Sequence, residues 1–197
     1  MSGVTVTRPG VELAAVEDIE YGARFLGSLP LHEGRDHALL RQWAAAATAF
    51  GARLAPSGTD SRVRIVESTG GLERGLLARY TSRPPTVELY TDTVAAAERL
   101  VRAHGWLDWF PAGSVRAAAL AHEAVHERLH HGSERAALKA VLGHTVLRLG
   151  RLRVDGHVAG AEELAAHAYA QTVCGLGRSP LLLSAALAAS AAPAREK

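Results

Sequence analysis

Cysteine is nearly missing from this chain: Cys174 is the only one in 197 residues. That excludes an intramolecular disulfide framework and any zinc site built from cysteines. Lysine is almost as scarce, two against 20 arginines, and 22 basic residues against 20 acidic leave a formal charge of +2. So small an excess gives no ground for a nucleic-acid partner, despite a pI near 9.0. No stretch reaches the roughly 18 uninterrupted apolar residues of a membrane span. The run from Leu181 to Ala192 is apolar but short and alanine-rich. The opening MSGVTVTRPGVEL shows no basic segment followed by an apolar one, so no secretory signal is visible. A cytoplasmic protein is the expectation. A length of 197 residues suits one domain, 1–197, with flexible ends at 1–10 and 191–197.

What the chain does have is His122-Glu123-Ala124-Val125-His126, a His-Glu-x-x-His pattern. With 10 His and 14 Glu in 197 residues, it should arise by chance roughly 0.035 times. It lies in a segment that reads as helix from about Ser114 to His131. Residues i and i+4 stand one above the other on a helix, so His122 and His126 project from one face. Two imidazoles held that way can close on one Zn²⁺ at about 2.0–2.1 Å per nitrogen. Glu123, on the flank of that face, is placed to act as general base. Val115, Ala117 to Ala121 and Val125 make the helix apolar, so it should be buried. A buried glutamate between two buried histidines calls for a compensating charge, and a metal supplies one.

Around the motif the period of apolar residues changes twice. A helix is expected from Val11 to Leu29 and a second from Asp36 to Leu54, with His32 and His37 at the surface between them. Alternation then predicts strands at 62–68, 75–80 and 86–90, a small and largely antiparallel sheet. The strand at 86–90 would offer an edge for an extended peptide. A helix follows from Thr91 or Asp92 to His104, ended by Gly105. Trp106 to Phe110, the densest aromatic patch, reads either as core packing or as a wall for a substrate side chain. Beyond the motif, helices are expected at 134–149, 161–176 and 180–192, with an irregular connection at 150–160 that includes a short strand at 152–154.

Two histidines do not complete a catalytic zinc site; a third protein ligand is needed, with one position left for water. A third histidine ten residues after the first would fall on Gly132, so the metzincin pattern fails. The candidates are Glu162 or Glu163, or one of His130, His144, His157 and His167. Adjacent side chains on a helix diverge by about 100°, so only one of the two glutamates can face the metal. Glu163 shares its face with Ala166, His167, Ala170 and Cys174, a small-residue stripe suited to close packing, and Glu162 is expected to face solvent. For the donor that stabilises a developing oxyanion, Tyr169, His157 and His144 are candidates.

HEAVH and, 37 residues after His126, Glu-x-x-Ala-His-x-Tyr-Ala together resemble the gluzincin-type metallopeptidases, especially the ImmA/IrrE-like group. In that group the His-Glu-x-x-His helix is followed by one of the form Glu-x-x-Ala-Asn/Asp-x-Phe-Ala. The resemblance covers roughly residues 60–180 and sets Glu163 at the ligand glutamate, Ala166 at the small residue and Tyr169 at the aromatic. It implies a zincin-like α+β fold, mostly helical, with the small sheet packed against the active-site helix. It departs from the group where His167 stands at the Asn/Asp position, where Leu-Met-Pro is absent, and in carrying no helix-turn-helix module.

The expected function is a zinc-dependent peptidase with one Zn²⁺ per chain, held by His122, His126 and Glu163. Glu123 is the base, and the substrate is a peptide or protein. Two other readings stand beside it. One is a non-peptidase metalloenzyme, either an iron enzyme or a small amide or ester hydrolase. The other is a zinc-binding protein without catalysis, against which the intact Glu123 argues.

Overall fold

The computed structural model describes residues 9–55, 63–130, 132–150 and 152–191. The fold is α+β and mostly helical. Helices α1 (Pro9–Ala15) and α2 (Asp18–Gly27) replace the single helix expected at the start. Glu17 is extended at ψ 150°, which breaks the chain between them. Asp36 caps α3 (His37–Leu54) by accepting from the Ala38 amide at 3.0 Å. His37 is at the surface, its Nε2 3.1 Å from Glu20 Oε2, but His32 is buried, its Nε2 2.9 Å from the carbonyl oxygen of Ala159. The reading of His32 as a surface histidine is therefore corrected.

Strands β1 (Arg64–Ser68), β2 (Ala78–Ser82) and β3 (Pro85–Tyr90) form a sheet in the order β1-β3-β2. β2 and β3 pair antiparallel and β1 joins β3 in parallel, so the sheet is mixed rather than largely antiparallel. β3 is thus the central strand, with both edges taken. The expectation that residues 86–90 present a free edge is overturned; the outer edge beside the motif helix belongs to β2. Local alternation marks strands but carries no information about which neighbour they choose.

Helix α4 (Thr91–His104) ends at Gly105, and α5 (Ser114–His130) carries the motif. The next helix, α6 (Gly132–Leu142), stops seven residues before the expected 149. Gly143, at φ 64°, turns the chain into the hairpin β4 (Thr145–Leu149) and β5 (Leu152–Asp155). Val146, Leu147 and Leu149, expected within the helix over 134–149, lie in β4 instead, and all three are exposed. Helices α7 (Ala161–Val173) and α8 (Leu181–Ala191) complete the chain. The ends expected to be flexible fall mostly outside the described residues, but Pro9 and Gly10 already belong to α1 and Ala191 closes α8.

Packing runs in a series: the sheet rests on α5, α5 on α7, α7 on α3, and α3 on α2. The step from α3 to α7 is very close. A side chain at Gly51 would put its Cβ 1.9 Å from the carbonyl oxygen of Ala165, so only glycine lets the two backbones meet there. Ala165, Ala166 and Ala170 are fully buried, and small residues along α7 allow contact on both of its sides. Trp106 and Phe110 are core residues, which selects core packing for most of that aromatic patch. Among the described residues, no helix is long and apolar enough to cross a membrane.

Candidate metal centre

The series of packed helices brings two i, i+4 pairs face to face. From α5 come His122 and His126; from α7 come Glu163 and His167. The Nε2 atoms of His122 and His126 lie 3.1 Å apart. The Glu163 carboxylate meets both, with Oε2 at 3.2 Å from His122 Nε2 and Oε1 at 3.4 Å from His126 Nε2. Glu162 turns the other way, toward His157 Nδ1 at 3.8 Å, and not to bulk solvent. Glu163 thus lies on the side of the two histidines, whereas the expectation that Glu162 faces solvent is corrected, since its side chain packs toward His157.

These separations permit a direct test of fit. Donors at about 2.0–2.1 Å on a tetrahedral ion stand about 3.3 Å from one another. The three contacts of 3.1, 3.2 and 3.4 Å straddle that edge length. Two neutral imidazoles and a carboxylate are also a donor set that zinc accepts. His126 is buried at 6% exposure, whereas the Glu163 side chain is 45% exposed and lies at the open side.

Electrostatics follow from this crowding. Burial would raise the Glu163 carboxyl, but the hydrogen bond and charge of His122, with His126 behind it, outweigh burial and hold it at about 2. Burial pushes the Glu123 carboxyl above the usual range, against the pull of His122 and of the Tyr80 amide. That amide, on β2, donates to Glu123 Oε2 at 2.8 Å. His167 is driven well below the ordinary imidazole range, first by burial and then by His122.

A cavity of about 320 Å³ opens beside His122, Glu123, Glu163 and His167. Its far wall is apolar: Phe25 from α2, Leu76 and Leu77 ahead of β2, Val115 and Ala118 from α5, and Leu183 and Leu187 from α8. Sequence reasoning missed this wall, because Phe25 and the α8 leucines are remote in the chain and look like ordinary core. Tyr80 was missed for a different reason: its contribution is a backbone amide, to which no side-chain pattern points. None of the three oxyanion candidates lines the cavity. Tyr169 is a core residue at 1% exposure, and His157 sits beside Glu162. His144 packs its ring on Trp43 at 5.2 Å.

His167 does not take the orienting role that its place in the pattern suggests. Its ring lies against that of His122, with centroids 4.4 Å apart and planes at 52°. The Nδ1 atoms of His122 and His167 are both buried without a hydrogen-bond partner among the described residues. No protein-family model matches the chain, and no curated protein or solved structure is significantly similar to it.

Proposed function

We propose that this protein is a zinc-dependent hydrolase, a peptidase similar to the gluzincins of the ImmA/IrrE-like group, acting in the cytoplasm on a peptide or protein. The observation that carries the reading is the convergence of His122 Nε2, His126 Nε2 and the Glu163 carboxylate within 3.1–3.4 Å, beside a glutamate and an open cavity. His122, His126 and Glu163 would hold one zinc ion. Bound there, zinc would supply Lewis acidity, lowering the pKa of water toward about 7 and polarising a scissile carbonyl.

The chain's own residues account for the proton. The Tyr80 amide occupies Oε2 of Glu123, which leaves Oε1 to receive a proton from the attacking water and return it to the leaving amine. The raised affinity of this carboxyl for protons suits a group that must take one up near neutral pH. Tyr80 N–H points away from β3, and in a strand every second residue points the same way. Ala78, which lines the cavity, therefore turns its N–H and C=O outward as well. An extended peptide added at that edge would lay a side chain against the apolar wall. These features favour a peptide over a small amide or ester.

The test is metal analysis of the purified protein, followed by incubation of the zinc-loaded form with a mixed peptide library read by mass spectrometry. One zinc per chain and cleavage that stops in Glu123→Gln are expected. Failure to bind zinc under any loading condition would remove the hydrolase reading. Zinc binding with no cleavage of peptides, but turnover of small esters, would replace the peptidase with the non-peptidase alternative.

A further inference from the structure

His167 is unexplained by a three-ligand centre. It is half-buried, stands one helical turn after Glu163, and borders the cavity. An orienting residue would accept or donate a hydrogen bond to a ligand histidine. His167 instead meets His122 ring against ring at 4.4 Å, and its Nδ1 is buried with no hydrogen-bond partner among the described residues. An imidazole so placed costs free energy unless something uses its nitrogens.

The ligating atoms of His122, Glu163 and His167 all lie within 4.8 Å of one another. Donors on a tetrahedral ion stand about 3.3 Å apart when each bond is about 2.0–2.1 Å. A movement of at most about 1.5 Å, within reach of a χ rotation of the His167 ring, would bring these three to a single ion. We infer that His167 is a fourth protein donor to the ion held by His122, His126 and Glu163, making a three-histidine, one-glutamate centre. The inference rests on the metal-centre reading above and extends it.

The consequence concerns coordination number. Four protein donors fill a tetrahedral ion, so a position for water then exists only if the ion becomes five-coordinate. Such a set of imidazoles and one carboxylate also accepts iron and other metals that prefer more than four ligands. In the three-ligand centre, by contrast, tetrahedral zinc keeps its open position.

Counting the coordinated imidazoles decides between them. The full-length protein, labelled with ¹⁵N-histidine and loaded with ¹¹³Cd²⁺, is measured for one-bond ¹¹³Cd–¹⁵N coupling, with the coupled rings assigned in the wild type. Three coupled histidines, including His167, are expected, and His167→Gln should retain two. Assignment in the wild type keeps the result interpretable if that variant does not fold. Coupling confined to His122 and His126 would overturn the inference and leave the three-ligand centre standing, as would a third coupled ring other than His167. Protein that takes up no cadmium would overturn both readings together.

Discussion

The backbone amide of Tyr80 donates to Oε2 of Glu123 at 2.8 Å, tying the motif glutamate of α5 to the outer edge of the sheet. This one bond limits the rotation of Glu123, which lines the cavity. It also sets the carboxylate where burial raises its proton affinity.

Glu123→Gln should therefore separate activity from stability. Loss of the general base is expected to lower kcat by about 10²–10⁴-fold with zinc content unchanged. Because the folded-state pKa of Glu123 is raised, its charged form opposes folding at pH values above that pKa. Removing the charge should raise the Tm of the metal-free protein at pH 7, by on the order of 2 °C. Calorimetry beside a turnover assay checks both; a lower Tm would contradict the electrostatic account.

Removal of a ligand should act on the metal first. His126→Ala and Glu163→Ala are each expected to weaken zinc binding by more than the roughly 10–100-fold typical of an outer-shell change. Glu162→Ala should leave it unchanged, since Glu162 turns to His157. Competition with a chromophoric chelator gives the affinities, and zinc retained at full strength by Glu163→Ala would exclude it as a ligand.

Acid should report on Glu163 in the metal-free protein. Its folded-state carboxyl lies at about 2 against an ordinary 4.5. The stability that it contributes is fully present above about 4.5 and is lost as the pH falls toward about 2. With the side chain 45% exposed, solvent screening makes the contribution modest. The slope of Tm against pH across that window should flatten in Glu163→Gln. An unchanged slope would show that the histidines do not hold this carboxylate.

Gly51→Ala tests the scaffold at a distance from the chemistry. The new Cβ would stand 1.9 Å from the Ala165 carbonyl oxygen, and backbone cannot yield as a flexible side chain can. A loss of about 3 kcal/mol or more is expected in denaturant unfolding. Because α7 carries both Glu163 and His167, zinc affinity should fall as well. Wild-type stability would mean that α3 and α7 are not in contact at this point.

Most of the helices were legible because helix periodicity is a local property. The limits of α3 follow from Asp36, those of α4 from Gly105, and α5 is marked by its apolar residues around HEAVH. Where local signals competed, they misled: Val146, Leu147 and Leu149 fall within the helix expected over 134–149, yet Gly143 turned them into a hairpin. β3 looked like an edge because alternation is blind to partners, whereas β1 pairs with it in parallel from across an intervening strand in sequence.

The sequence by itself determined that His122 and His126 share a face, since four residues on a helix turn through little more than one full rotation. It also determined that Glu162 and Glu163 cannot serve together. Only the tertiary structure decided which helix faces α5, because helix-to-helix distance depends on seats such as Gly51 against Ala165, far apart in the chain. That same packing supplied the Tyr80 amide to Glu123, set His167 against His122, and closed the apolar wall with Phe25 and the leucines of α8. Each is a meeting of remote residues, and no periodicity within a single segment encodes it.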